Sequence, residues 1–144
     1  MDLYLDTNIF IYLADNSSQF NKSCRDLIKF CQKHKIRIIT STETFQEIIH
    51  YAKNTKQLTS GIIIAEKVLL LTDGIYSIDK KTIEVYLKQV RKYPSAKSRD
   101  LIHLAVCLEN GIAEIVTFDK DFKQFKEIRT ITPDNLLSNA GSGK

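Results

Sequence analysis

Leu3-Tyr4-Leu5-Asp6-Thr7-Asn8, almost at the N-terminus, runs three strand-forming side chains straight into an acid, a hydroxyl and an amide. Ile9-Phe10-Ile11-Tyr12-Leu13 follows and is apolar again. The pattern reads as a short buried strand whose carboxyl end carries Asp6, Thr7 and Asn8, leading into a helix capped by Asn8 and running through Ala14. In open α/β sheets ligands bind outside the carboxyl ends of the strands. Asp6 therefore opens a candidate acidic site.

The same alternation continues outward. Residues 21–33 place Cys24, Leu27, Ile28 and Cys31 at i, i+3, i+4, i+7, which predicts an amphipathic helix. Residues 36–40 are short and β-branched, a second strand. Thr40-Ser41-Thr42-Glu43 has the T-x-x-E form of a capping box, opening a helix with Phe45, Ile48, Ile49 and Ala52 inward. A helix over 59–71 and a strand over 75–78 come next. A helix capped by Asp79 reaches Lys92 with Ile83, Tyr86, Leu87 and Val90 inward, and Tyr93-Pro94 stops it. Lys97-Ser98-Arg99-Asp100 starts a helix that buries Leu101, Leu104, Ala105 and Leu108 and ends at Gly111 as a C′ residue. Residues 115–118 form a fourth strand with Asp119-Lys120-Asp121 at its end, and residues 128–131 a fifth. Thr132-Pro133 caps a last turn through Leu137. Strands alternating with helices predict an α/β fold, a five-stranded parallel sheet covered on both faces. Residues 1–137 read as one domain and 138–144 as a small polar, flexible tail.

Bulk properties agree with a single domain. The 144 residues, 43% of them hydrophobic, suffice for a core without staples. Twenty-one Lys+Arg against 17 Asp+Glu give +4, a mild excess that permits a polyanionic partner without demanding one. Cys24, Cys31 and Cys107 are odd in number with no C-x-x-C spacing, so they read as buried thiols suited to a reducing cytoplasm rather than as a zinc site. No apolar run approaches a membrane span, and no signal-peptide core follows Met1.

Four acids fall at equivalent places. Asp6 and Asp119 end strands one and four, Glu47 lies one turn into the helix after strand two, and Asp100 is in the first turn of the helix before strand four. Each borders an apolar stripe. Any one alone has a structural role open to it: a cap for Asp6, a solvated charge for Glu47, a helix-dipole partner for Asp100, a turn for Asp119 or Asp121. Together they would form one anionic pocket, tolerated if hard cations neutralise it or some acids stay protonated. Oxygen ligands without a His/Cys cluster favour Mg²⁺ or Mn²⁺, which suit in-line displacement at a phosphodiester. Thr7, Asn8 and Thr117 could hold a water or a phosphate oxygen. Between Lys80 and Arg99 seven basic residues stand against one acid, Glu84. They form a solvated face or a track for phosphates, with Arg99 and Lys97 nearest the acids. His103, three residues beyond Asp100, reads as a structural hydrogen-bonding histidine, with a catalytic base as the sharper alternative.

Asp6-Thr7-Asn8, Gln46-Glu47, Arg99-Asp100-Leu101-Ile102-His103-Leu104-Ala105 and Thr117-Phe118-Asp119-Lys120-Asp121-Phe122 resemble the four motifs of PIN-domain ribonucleases, most of all the toxin branch called VapC. The ordered set covers nearly the whole chain. The resemblance implies a Rossmann-like α/β/α sandwich, a Mg²⁺- or Mn²⁺-dependent endoribonuclease, a homodimer and a small antitoxin partner. It implies Asp6, Glu47, Asp100 and Asp119 as the catalytic and metal-binding quartet, Asp121 as an accessory, and Thr7, Asn8 and Thr117 in support. A structure-specific DNA nuclease of the same fold would carry an arch-like helical insertion, which this short chain lacks. A non-catalytic RNA- or protein-binding module would have no need of an intact quartet.

Overall fold

The computed structural model describes residues 1–141. Its order is β1 (Asp2–Leu5), α1 (Thr7–Ala14), α2 (Asn21–Lys33), β2 (Arg37–Ser41), α3 (Thr42–Asn54), α4 (Leu58–Leu71), β3 (Gly74–Tyr76), α5 (Lys80–Lys92), α6 (Ser98–Glu109), β4 (Glu114–Val116), a 3-10 turn (Lys120–Gln124), β5 (Arg129–Ile131) and α7 (Pro133–Gly141). All strand pairs are parallel, in the order β3-β2-β1-β4-β5. The expected five-stranded parallel sheet is therefore present. β1 lies at its centre, and the strand order reverses between β1 and β4, the switch point where such sheets bind ligands.

Successive strand residues point to opposite faces, and the core divides accordingly. Leu3, Leu5, Ile38 and Val116 pack on one side with Ile9, Phe10, Cys24, Leu27, Cys31 and Ile48. Tyr4, Ile39 and Ile115 pack on the other with Leu101, Leu104, Cys107, Phe122 and Phe125. The three cysteines are buried and unpaired, as their spacing suggested. Among the described residues no helix is long and apolar enough to cross a membrane.

Several local expectations give way. Asp6, not Asn8, caps α1. The capping box at Thr40 does not form: Ser41 is the N-cap of α3 without a side-chain bond, and the Thr40 hydroxyl donates to the Leu5 carbonyl instead. α5 keeps only half of its expected inward face: Tyr86 and Val90 pack on the core. Thr82 is buried while Ile83 and Leu87 are 39% and 52% exposed, because Thr82 closes a capping box with Asp79 and donates to Glu109 of α6. Gly111 does adopt the left-handed φ of +67° expected past the end of α6. α7 continues past Leu137 to Gly141, so residues 138–141 of the expected tail are helical, and residues 142–144 lie outside the described residues.

Candidate active site

Asp6 follows the last residue of β1. Its Oδ1 accepts from the Thr7 amide at 2.7 Å, and Oδ2 accepts from the Thr117 hydroxyl at 2.6 Å. Thr117, just past β4, also accepts from the Asn8 side-chain amide at 3.1 Å and from the Asp119 amide at 3.0 Å. Its donor and both acceptor positions are used, and it ties Asp6, Asn8 and Asp119 together across the switch point. Asp119 in turn caps the 3-10 turn, Oδ1 accepting from the Asp121 amide at 2.9 Å.

Glu47 reaches the same rim from the β2 side, on α3. Its Oε1 accepts from the Thr7 hydroxyl at 2.9 Å and lies 2.5 Å from His103 Nε2. That nitrogen is also 3.6 Å from Asp6 Oδ1. Two groups of ligand atoms result, each within 4.8 Å: Asp6, Glu47 and His103, and Asp100, Asp119 and Asp121. The expected single quartet is thus two adjoining triads. Thr117 links them through Asp6 and Asp119, and α6 carries both Asp100 and His103.

Electrostatics follow the packing. Burial, then the charges of Asp119 and Asp6, push the Asp100 carboxyl up to about 7. Burial also raises Asp6, against the pull of His103 and Thr117. Burial alone would raise Glu47, but the hydrogen bond and charge of His103, with the Thr7 hydroxyl, hold it below its ordinary value. Burial would lower His103, yet the Glu47 hydrogen bond and the Asp6 charge lift it to about 8. Asp100 Oδ2 and Asn8 Oδ1 are buried without a hydrogen-bond partner among the described residues. An unpartnered carboxylate oxygen in a crowd of acids is costly. The oxygen-rich donor set around it fits a hard divalent cation.

The outlying candidates fall into place around this centre. Asp121 is exposed and ion-paired with Lys97 at 3.2 Å, so Lys97 is already engaged. Arg99 is exposed, and its charge bears on Glu43 and Glu47. Phe118 stacks on Phe20, ring centroids 4.4 Å apart, and Tyr4 is fully buried. Sequence reasoning missed the second layer: Tyr4 and Ser41 behind His103, and Thr44 and Thr40 behind Thr7. Glu43, one turn before Glu47, is partly buried with its carboxyl raised by burial and by the Glu47 charge. The i+3 spacing of His103 from Asp100 on a helix was the one available signal.

A PIN domain profile matches residues 3–128. The chain belongs to the PIN-domain family. Ribonuclease VapC23 of Mycobacterium tuberculosis is 27% identical to this PIN domain over 120 residues, covering 81% of this chain and 92% of that protein. Among solved structures, VapBC2 from Rickettsia felis bound to a DNA fragment of its promoter superposes with a TM-score of 0.73 at 18% identity, covering 92% of this chain and 98% of that one. VapC20 of M. tuberculosis, a sarcin-ricin loop cleaving toxin, gives a TM-score of 0.70 at 17% identity, covering 88% of this chain and 98% of that one. At such identities the structural likeness speaks for the PIN fold.

Proposed function

We propose that this PIN domain is a divalent-cation-dependent endoribonuclease, the toxin of a toxin–antitoxin pair. The observation that carries the reading is the pair of adjoining acidic groups, Asp6 with Glu47 and Asp100 with Asp119 and Asp121, and in the second a buried Asp100 oxygen without a hydrogen-bond partner among the described residues. The ribonuclease relatives support the choice of RNA. Asp6, Asp100 and Asp119 would hold Mg²⁺ or Mn²⁺, directly or through water, while Glu47 would hold a second ion or orient the attacking water. A cation bound there activates water and offsets charge on the phosphate. Thr7 and Thr117 fix the carboxylates, Asn8 presents its open Oδ1 to a water, and Asp121 is an accessory that Lys97 neutralises. Arg99 and the basic face of α5 attract the RNA backbone.

An apolar surface supports protein partners. Phe10, Leu13 and Ala14 of α1 and Ile63, Ile64 and Val68 of α4 line a groove of about 410 Å³, and Leu70 beyond it is 89% exposed. Such a surface suits an antitoxin helix or a second copy of the chain. The complexes of the Rickettsia felis and Haemophilus influenzae VapBC proteins favour the antitoxin.

The test is cleavage of RNA by purified protein in Mn²⁺. Activity should vanish with EDTA and with Asp6→Asn while the thermal transition persists. Cleavage that survives the chelator defeats the metal mechanism. Preference for flapped or single-stranded DNA defeats the RNA assignment. RNA binding without turnover defeats the enzyme.

A further inference from the structure

We propose that His103 is a positioning residue, which locks one oxygen of Glu47 so that the other is presented to a cation or water; this rests on the nuclease reading above. The imidazole is 1% exposed, too deep to meet a substrate. Nε2 lies 2.5 Å from Glu47 Oε1, and the Thr7 hydroxyl donates to the same oxygen at 2.9 Å. Oε1 is thereby occupied, whereas Oε2 has no hydrogen-bond partner among the described residues. Facing a carboxylate, Nε2 carries a proton in either charge state of the ring.

Behind it, Nδ1 lies 2.6 Å from the Tyr4 hydroxyl, which donates to Ser41 at 2.9 Å. The rings of Tyr4 and Phe122 stand 5.8 and 6.5 Å from the imidazole, so it cannot turn without breaking both contacts. With both nitrogens engaged, His103 is no general base. It transmits the rigidity of β1 and β2 to a carboxylate on α3, as outer partners do around metal ligands.

The experiment compares His103→Gln, which keeps an N–H near the Nε2 position, with His103→Asn, which is too short to reach Glu47. Mn²⁺ affinity is read by the paramagnetic signal of free Mn²⁺, independently of turnover, and kcat and KM for RNA are measured beside it. His103→Asn should lower Mn²⁺ affinity and kcat by about 10–100-fold with KM unchanged, and His103→Gln should stay within about 3-fold of the parent. If a His103 variant has no thermal transition, Tyr4→Phe takes its place, with a smaller loss in the same direction expected. Asn variants that bind Mn²⁺ and turn over like the parent overturn the proposal, as does a Gln variant that loses as much as Asn, or an unaffected Tyr4→Phe where that variant decides. A parent protein that binds no Mn²⁺ would instead remove the nuclease reading itself.

Discussion

The Thr117 hydroxyl donates to Asp6 at 2.6 Å although 111 residues of chain separate them. The pairing of β1 with β4, Leu5 opposite Val116, sets the two residues after these strands side by side at the sheet's rim. Thr117→Val keeps the shape and removes the hydroxyl. Asp6 Oδ2 and the Asp119 amide then lose their partner in a buried place, which should cost about 1–3 kcal/mol. A urea transition should show it as a lower midpoint with the slope unchanged, and Mn²⁺-dependent cleavage should fall with it. A midpoint equal to the parent's would mean that water replaces the hydroxyl freely.

Asp100 makes the cation-free protein sensitive to pH in an unusual direction. Its carboxyl titrates near 7 in the folded chain against 3.8 ordinarily, so between those values the native state holds the extra proton and stability falls as pH rises. His103, near 8 against 6.5, acts in the same sense: its contribution is complete below 6.5 and is lost as pH passes about 8. Glu47, held low, opposes this only in acid, where its contribution is lost as it protonates. In EDTA the urea midpoint should therefore decline from about pH 5 to about pH 8. Asp100→Asn should flatten the decline below pH 7, and added Mn²⁺ should reverse it by binding the native state. A midpoint that climbs over this range contradicts the assignment.

Arg99 and Lys97 are both exposed and basic, but among the described residues only Lys97 of the two is ion-paired, with Asp121 at 3.2 Å. Arg99→Ala should weaken binding of a catalytically blocked Asp6→Asn protein to RNA and reduce the slope of log affinity against log salt by about 1. Lys97→Ala removes a charge that Asp121 already offsets, so its effect should be smaller. Fluorescence anisotropy at several salt concentrations separates the two, and equal losses would show that the Lys97–Asp121 pair opens for RNA.

The central strands β1, β2 and β4 were legible because a strand buried on both faces is apolar nearly throughout, whereas the partly exposed edge strands β3 and β5 were read from their β-branched residues. Asp6, Asp100 and Asp119 were legible because polar residues directly at strand and helix ends stand out against such runs. The division into two triads was not, since it depends on where α3 and α6 lie relative to each other. Tyr4 was hidden by its setting: in the sequence it is one more strand residue, and only the fold shows its hydroxyl against His103. Thr40 misled for the opposite reason. Its T-x-x-E spacing suggested a cap, but at the end of β2 its hydroxyl reaches the Leu5 carbonyl of the neighbouring strand and the Thr44 hydroxyl instead. The inward face of α5 was set by Thr82 and Glu109 rather than by Ile83 and Leu87, a polar anchor that hydrophobic periodicity cannot register.

Gly61 on α4 faces Ala52 on α3, and a Cβ at position 61 would come within 2.2 Å of the Ala52 Cβ. In an open helix, alanine for glycine would stabilise by about 1 kcal/mol. Here neither methyl can swing away, so the helices must separate and Gly61→Ala should instead cost about 1–3 kcal/mol. Ala52→Gly alone should cost about 1 kcal/mol through backbone freedom. Combining the two exchanges the methyl from one helix to the other and should recover most of the Gly61→Ala loss, a favourable coupling that thermal melts of the four proteins would measure. Because α3 also carries Glu47, the single Gly61→Ala variant should bind Mn²⁺ more weakly and the double variant should regain it. Simple additivity of the two changes would show that α3 and α4 have room to part, and that the position of Glu47 does not depend on their close approach.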